Sequence, residues 1–181
     1  ADYGKNLVVG PREFRTKYIT HDGTLINLRS IRPTDEPLMR ELFYALSQET
    51  IYYRFMSRMR RIPRKEVQNF VYIDHRSDVA IVATIPEVHG EDIIAIGRYY
   101  LDVKTNFAEV AFVVRDDWQN KGIGTFLLKH LSTIARRNGI SGFTAEVLRE
   151  NKAMQKVLHK SDGKMTSSIK QDVYSFRIEF T

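Results

Sequence analysis

The sequence predicts one mixed domain of the α/β (α+β) class, with a mostly antiparallel central sheet flanked by helices. Three observations indicate this class. Apolar runs of strand length and segments of helical periodicity follow one another along the chain. The loops between the central apolar runs are short, which predicts antiparallel pairing. The chain has 181 residues, enough for one domain with a sizeable core.

The first part of the chain predicts an arm, a strand and a helix. Residues 1–23 are polar and weakly patterned, and they predict an N-terminal arm or linker before a single domain of residues 24–181. Residues 24–33 alternate as a strand does. Residues 34–49 then carry apolar side chains at helical spacing, with Thr34 as the expected capping residue.

The middle of the chain predicts two helices and then three strands. Residues 50–73 contain two further helical segments, which we expect to be broken near Pro63. Three apolar runs joined by short polar loops follow, and they predict strands over residues 79–85, 93–102 and 107–114.

The last third alternates helix and strand. A helix is predicted to begin near Gly122 and to end at residues 138–139, where asparagine and glycine form a C-terminal stop. Its buried stripe is predicted to comprise Ile123, Phe126, Leu127, Leu131, Ile134 and Ala135. The remaining segments predict strands over residues 142–148 and 173–180 and, between them, a helix over residues 151–160 that Asn151 caps.

Composition argues against several classes of function. No apolar run approaches 18 residues and no signal-peptide pattern opens the chain, so we expect a cytoplasmic protein without a membrane partner. The absence of cysteine excludes disulfides, thiol nucleophiles and thiolate metal sites. The five histidines are far apart in the sequence, and we therefore expect no metal site.

The formal net charge of +6 favours anionic partners. Much of this charge lies in the basic stretch of residues 54–66. We interpret the stretch as a solvated surface or as a patch for acidic acceptors. A nucleic-acid site is the alternative, but the sequence carries no recognisable nucleic-acid-binding module, so we expect no nucleic-acid partner.

The stretch QNKGIG, residues 119–124, joins the predicted strand 107–114 to the helix that follows. A helix start exposes backbone N–H groups and carries a partial positive charge. Glycines in such a turn let the backbone approach an anion closely, and the charge of Lys121 would help. The stretch therefore indicates a phosphate cradle, although a plain strand-to-helix turn also fits these residues.

Two other phosphate-binding motifs fit less well. The ATP-type loop Gly-x-x-x-x-Gly-Lys-Ser/Thr is absent. The dinucleotide fingerprint Gly-x-Gly-x-x-Gly would need a third glycine where this chain has Leu127, and it belongs to a parallel sheet. Glu146 resembles the ribose-binding acid of that fingerprint, but the predicted sheet is mostly antiparallel.

The spacing Gln119-x-x-Gly122-x-Gly124 between a strand and a helix resembles the acetyl-CoA motif of the GNAT N-acetyltransferases, Gln/Arg-x-x-Gly-x-Gly/Ala. The stretches FVVRDDWQNKGIGTFLL and EVLRENKAMQKVLHKSDGKM also resemble this family, as does the order of elements over residues 24–180. More narrowly, IRPTDEPLMRELFYALSQETIYYRFMS and AEVAFVVRDDWQNKGIGT are similar to the GNAT module of bacterial protein-lysine acetyltransferases, or of acyl-CoA-enzyme fusions.

The resemblance implies the GNAT fold, whose fourth and fifth strands, here residues 107–114 and 142–148, splay apart to admit the pantetheine arm of acetyl-CoA. It implies transfer of an acetyl group from acetyl-CoA to a primary amine, which we expect to be a protein lysine. The alternative is a non-catalytic acetyl-CoA-sensing module that regulates a fused partner domain of a larger protein. Related modules are fused to larger acyl-CoA-handling domains. The residues implied to bind acetyl-CoA are Phe112, Val113, Val114, Gln119, Asn120, Lys121, Gly122, Ile123, Gly124, Thr125 and Asn151.

The resemblance also implies a carboxylate general base. Glu109 is the first candidate and Glu146 the second, while the simpler interpretations are a surface glutamate and a salt-bridged strand residue, respectively. Many members of the family carry a tyrosine that protonates the leaving thiolate, but the matching position here is Leu158. The tyrosines that could take this role from neighbouring strands are Tyr99, Tyr100 and Tyr174.

Overall fold

An eight-stranded sheet organises the part of the chain that the computed structural model describes, residues 14–56, 64–74 and 77–181. In chain order its strands are β1 Thr16–Ile19, β2 Leu25–Ser30, β3 Asp78–Glu87, β4 Gly90–Asp102, β5 Phe107–Val114, β6 Gly142–Leu148, β7 Lys164–Lys170 and β8 Val173–Glu179. The helices are α1 Glu36–Tyr44, α2 Gln48–Phe55, α3 Arg64–Val71, α4 Ile123–Arg137 and α5 Lys152–His159.

The strands lie in the order β1-β2-β3-β4-β5-β6-β8-β7, and every neighbouring pair is antiparallel except β5 with β6. A parallel pair needs a crossover connection, and α4 supplies it. This pairing is short, because its register runs from Phe107 opposite Gly142 to Glu109 opposite Thr144 and then ends. Beyond Glu109 the two strands diverge and leave a notch. The predicted fold class is thus confirmed, including the splayed strands.

Helices pack on both faces of the sheet. On one face α4 buries side chains such as Leu127 and Leu131 against the sheet, together with Phe143 of β6. On the other face α1 buries Met39 and Leu42 in a second apolar cluster. Each fully buried side chain of this size contributes about 1.5–3 kcal/mol to folding. The sheet is therefore held between two apolar layers, and its free edges and its notch are the places left for a site.

The structure confirms most predicted elements and corrects several details. In the α4 stripe, Leu128 is buried as well, and Phe126 is only half-buried. Thr34 does not cap α1. It lies in a 3-10 turn, Pro33–Asp35, in which the Asp35 carboxylate accepts the Arg32 N–H at 2.8 Å. Among the described residues, no helix has both the length and the apolar character needed to cross a membrane.

Two strands are missing from the predictions. β7 is almost entirely exposed at an edge of the sheet, so its residues carry no apolar alternation. β1 lies within residues 1–23, the expected arm or linker, and pairs with β2 at the other edge. The boundary between arm and domain stays a prediction. Residues 57–63, which hold most of the basic stretch and the expected break at Pro63, lie outside the described residues.

Candidate functional site

The notch between β5 and β6 is bordered by backbone groups whose direction follows from strand alternation. The Arg115 N–H donates to the Ile94 carbonyl of β4 at 2.8 Å. Along a strand of an antiparallel pair, the backbone N–H and C=O groups of successive residues point alternately toward and away from the partner strand. The backbone groups of Val113, two residues before Arg115, therefore face β4. Those of Phe112 and Val114 face the notch. Of the three β5 residues implied to pair with pantetheine, two therefore border the notch and Val113 does not.

The turn after β5 leads from the notch into α4. Asn120 and Gly122 both have left-handed backbone, with φ of 63° and 83°, and Gly122 is the N-cap of α4. Glycine adopts this conformation freely, and asparagine tolerates it better than most residues. Turns of this kind direct successive N–H groups toward one side and form a concavity that suits an anion.

Six consecutive N–H groups in this turn are free. Within the part of the chain that the structure describes, the backbone N–H groups of residues 120–125 donate no hydrogen bond. The start of α4 alone accounts for the N–H groups of residues 122–125, but not for those of Asn120 and Lys121. A Cβ on Gly124 would make ordinary contact with Val157 at 3.5 Å, so packing does not demand glycine there. Its missing side chain leaves the N–H groups accessible. We call residues 119–125, which the GNAT resemblance implies to bind acetyl-CoA, the cofactor turn.

Side-chain hydrogen bonds tie the cofactor turn to the start of α2. The Gln119 amide donates to the Val114 carbonyl at 3.0 Å and to the Thr50 hydroxyl at 3.2 Å. The Asp116 carboxylate accepts from the Ser47 N–H at 3.0 Å, the Ser47 hydroxyl at 2.7 Å and the Thr50 hydroxyl at 3.0 Å. Gln119 therefore occupies the Val114 carbonyl. The backbone groups of Phe112 are then the main ones that face the notch along this edge of β5.

The other side of the notch ends at α5. Asn151 is the N-cap of this helix, as predicted, and its side-chain oxygen accepts the Met154 N–H at 3.2 Å. The Tyr53 hydroxyl of α2 donates to the Glu150 carbonyl at 3.4 Å. Helix α2 therefore contacts both sides of the notch, at the cofactor turn and at the start of α5.

Glu109 lies where the pairing of β5 and β6 ends, and its exposed side chain lines two cavities. The first has a volume of about 470 Å³ and is lined mainly by Glu109, Glu146, Thr144, Thr166, Ser168, Ser175 and Arg177. The second has a volume of about 260 Å³ and is lined by Arg54, Phe55, Asn69, Arg98, Tyr100, Glu109 and Ala111. Both glutamates predicted as bases thus open on one cavity, and neither forms an ion pair or hydrogen bond among the described residues.

The three tyrosines considered as proton donors lie in different places. Tyr99 is buried on the α4 face, where the Asn138 amide donates to its hydroxyl at 3.1 Å, and burial raises its pKa to about 12. Tyr174 packs beside Phe176 on that same face. Tyr100 stands opposite Glu109 in the β4–β5 register and lines the second cavity with it. Leu158, in the position of the family's tyrosine, is fully buried.

Sequence reasoning misses four residues that shape this site: Tyr18, Asp22, Thr50 and Asp116. The Tyr18 hydroxyl donates to the Lys121 carbonyl at 2.8 Å, and Asp22 pairs with the Lys121 ammonium at 3.2 Å. These contacts join segments far apart in the chain, so no local pattern marks them. Of these four residues, only Asp116 lies near the glycine motif, three residues before Gln119. The motif could therefore have pointed to it.

Comparisons with known proteins identify the family and several similar proteins. The sequence model of the family described as "Acetyltransferase (GNAT) family" matches residues 40–163. Acetyltransferase PA5475 of Pseudomonas aeruginosa is 28% identical over 134 residues, which cover 74% of this chain and 72% of that protein. Acetyltransferase Pat of Mycolicibacterium smegmatis is 33% identical over 139 residues, which cover 76% of this chain and 41% of Pat.

Solved structures include a relative with the same architecture. The crystal structure of the GNAT domain of S. lividans PAT superposes on this chain with a TM-score of 0.86 at 30% sequence identity. The superposition covers 94% of this chain and 99% of that domain.

Proposed function

The chain belongs to the acetyltransferase (GNAT) family, and on this premise we propose that it transfers an acetyl group from acetyl-CoA to a protein lysine. The observation that carries the proposal is the position of the six N–H groups of residues 120–125, which lack acceptors among the described residues, at the end of the notch between β5 and β6. A phosphate site at one end of an open strand edge suits a ligand with a pyrophosphate and an extended amide-bearing arm.

Backbone groups provide most of the proposed acetyl-CoA site. The N–H groups of residues 120–125 would hold the pyrophosphate, and the partial positive charge at the start of α4 would add to their attraction. The pantetheine arm would pair with the backbone of Phe112 as an added strand does. Asn151, at the start of α5 across the notch, would contact the pantetheine or the ribose-phosphate side. Lys121 would lie beside the pyrophosphate, with its ammonium paired to Asp22.

The proposed reaction starts from a neutral amine. A lysine ammonium has a pKa of about 10.4 and no free electron pair, so it must first lose a proton. The Glu109 carboxylate would accept that proton, directly or through a water molecule. The amine nitrogen then attacks the thioester carbonyl carbon and forms the C–N bond. The tetrahedral intermediate breaks its C–S bond, the nitrogen loses its second proton, and CoA leaves as a thiolate that takes up a proton. Tyr100, opposite Glu109 in the β4–β5 register, would donate that proton.

The shape of the first cavity supports a polypeptide acceptor. The cavity is lined mainly by polar side chains of β6, β8 and β7, and Glu146, Thr166, Ser168, Ser175 and Arg177 among them are exposed. A small amine is usually bound in an enclosed and mostly apolar pocket. An open cavity lined by exposed polar side chains instead suits a lysine carried on a protein, in line with the resemblance to protein-lysine acetyltransferases.

The proposed function also includes a larger protein partner for this chain. The region that matches this chain is 41% of the Pat relative, so in that protein it is part of a longer chain. We propose that this module likewise works with a larger acyl-CoA-handling partner.

A two-part experiment tests the proposed function. First, acetyl-CoA, CoA and a DNA duplex are compared for their effect on the melting temperature, and the CoA compounds alone should raise it. Second, thiol release from acetyl-CoA is followed with lysine peptides, folded proteins, polyamines and small amines as acceptors. Acetylation of lysine supports the proposal. Stabilisation by CoA without transfer to any acceptor would replace it with the acetyl-CoA-sensing module.

A further inference from the structure

We propose that residues 14–22 form an N-terminal brace that holds the cofactor turn in its binding conformation, with Tyr18 as the positioning residue. The inference rests on the proposed function, because the cofactor turn is the proposed pyrophosphate site. The brace comprises β1 and the residues on either side of it. It lies outside residues 40–163, the part of the chain that the family's sequence model matches.

Tyr18 contacts the cofactor turn with both its hydroxyl and its ring. The hydroxyl donates to the Lys121 carbonyl at 2.8 Å. The ring stacks on Phe126 of α4, with centroids 4.7 Å apart and planes inclined by 24°. The stacking places the hydroxyl, and the hydrogen bond then fixes a carbonyl that lies between the two left-handed residues, Asn120 and Gly122.

That hydrogen bond also sets the direction of an N–H group. The Lys121 carbonyl and the Gly122 N–H belong to one planar trans peptide, in which they point in opposite directions. Holding the carbonyl toward Tyr18 therefore turns the Gly122 N–H away from the brace, toward the concavity. A rotation of this peptide would remove the Gly122 N–H from the set of six.

The missing side chain of Gly122 makes room for the Tyr18 hydroxyl. A Cβ at this position would overlap the Tyr18 hydroxyl, and the φ of 83° already disfavours any side chain. The motif glycine thus leaves the space that the tyrosine hydroxyl fills. The brace and the turn fit each other sterically as well as through the hydrogen bond.

The brace also holds the Lys121 side chain. Asp22 pairs with the Lys121 ammonium at 3.2 Å. Hydrogen bonds from the side chains of Thr20 and Thr24, with the Lys121 contact, hold the pKa of Asp22 well below its usual range, so its carboxylate is ionised. This exposed pair adds little to stability. It keeps the ammonium beside the cofactor turn.

The other end of the brace is anchored in the core. Phe14 is fully buried, and the His130 Nε2 of α4 donates to the Phe14 carbonyl at 2.6 Å. The brace therefore touches α4 at His130 and Phe126 and the cofactor turn at Lys121. A segment held at both ends can keep Tyr18 in a fixed position.

The test compares Tyr18→Phe with Tyr44→Phe. The first variant keeps the stacked ring and loses the hydroxyl, and the second removes the hydroxyl of a tyrosine that is 88% exposed on α1. CoA affinity is measured by calorimetry, and turnover is measured with acetyl-CoA and with S-acetylpantetheine, which lacks the pyrophosphate. Tyr18→Phe should weaken CoA binding and raise the KM for acetyl-CoA about three- to tenfold, the usual effect of one hydrogen bond. Tyr44→Phe should match the wild type.

Each outcome has a distinct meaning. An effect of Tyr18→Phe on acetyl-CoA that is absent with S-acetylpantetheine supports the brace. Wild-type affinity for CoA in Tyr18→Phe overturns the inference and leaves the proposed function standing. Equal losses with both substrates, together with a lower melting temperature, assign Tyr18 a folding role and also overturn it. A wild-type protein that binds no CoA overturns the proposed function and the brace with it.

Discussion

At the scale of single residues, position along a strand favours Glu109 over Glu146 as the proposed base. Glu109 is the last β5 residue paired with β6, so its side chain stands at the point where the notch opens. Glu146 lies further along β6, beyond the paired segment, although it lines the same cavity. A base must reach the amine that attacks the thioester, and the apex of the notch is the closer position to an arm lying between the strands.

Glu109→Gln keeps the shape and the hydrogen-bonding capacity of the side chain but removes the proton acceptor. We expect turnover to fall by about 10²–10⁴-fold, the usual effect of a positioned base. CoA affinity should be retained, because the proposed acetyl-CoA site consists mainly of backbone groups. The loss should shrink as the pH rises, because more of the amine is then already neutral. Steady-state rates across a pH series, with CoA titrations beside them, measure both effects.

Glu146→Gln is the matched control for this prediction. If it shows the loss and Glu109→Gln does not, the role of base moves to Glu146. If both variants turn over normally, the reaction needs no carboxylate base and the assignment fails.

Two substitutions of Gly124 distinguish the effect of side-chain charge from the effect of side-chain size at the cofactor turn. Gly124→Asp places a carboxylate at the start of α4, where the helix dipole stabilises it in the free protein but where it would repel a pyrophosphate. Gly124→Asn has nearly the same size without the charge. We expect Gly124→Asp to fold and to lose the rise in melting temperature that CoA induces, and Gly124→Asn to keep part of that rise. An undiminished rise in Gly124→Asp would place the pyrophosphate elsewhere.

At the scale of elements, the sequence predicts the parts of the site that lie on regular structure. The predicted strands 107–114 and 142–148 have the bounds of β5 and β6, because both carry buried apolar runs. Edge strand β7 has no apolar alternation and β1 has four residues, so neither is visible as a pattern. The link between α2 and the cofactor turn is invisible for another reason: Thr50 and Gln119 are 69 residues apart in the chain.

Asp116 tests whether that link positions α2. Asp116→Ala removes three hydrogen-bond acceptor contacts with Ser47 and Thr50 at the start of α2. These contacts are exposed, so we expect global stability to fall by only about 1 kcal/mol. Amide hydrogen exchange should accelerate in residues 47–55 and stay unchanged in α4. Asp117→Ala is the matched control, since Asp117 pairs with Arg115 and not with α2. Equal exchange rates in both variants would show that α2 does not depend on Asp116.

At the scale of the whole molecule, the candidate site is assembled from four separate stretches of the chain. The brace, the start of α2, the cofactor turn with β5, and β6 with the start of α5 meet around one notch. The sequence identifies the last two through the glycine motif and the strand pattern. It misses the first two because a contact such as Tyr18 with Lys121, 103 residues apart, depends on the finished sheet order. The proposed brace makes the integrity of the site depend on how firmly the first edge strand is attached.

Burial of His130 beside the brace makes the stability of the folded chain dependent on pH. Burial, with a smaller contribution from the charge of Arg137, lowers the pKa of His130 below its usual value, although its hydrogen bond with the Phe14 carbonyl acts the other way. The unfolded chain then binds the proton more readily than the folded one, so stability is full above about pH 6.5 and falls as the pH drops through the folded-state pKa. His130→Gln can keep a donor to Phe14 and does not titrate. Denaturation with urea between pH 7.5 and 5.5 should show the stability of the wild type falling toward that of the variant as the pH decreases. Parallel curves for the two proteins would mean that burial of His130 does not make stability depend on pH.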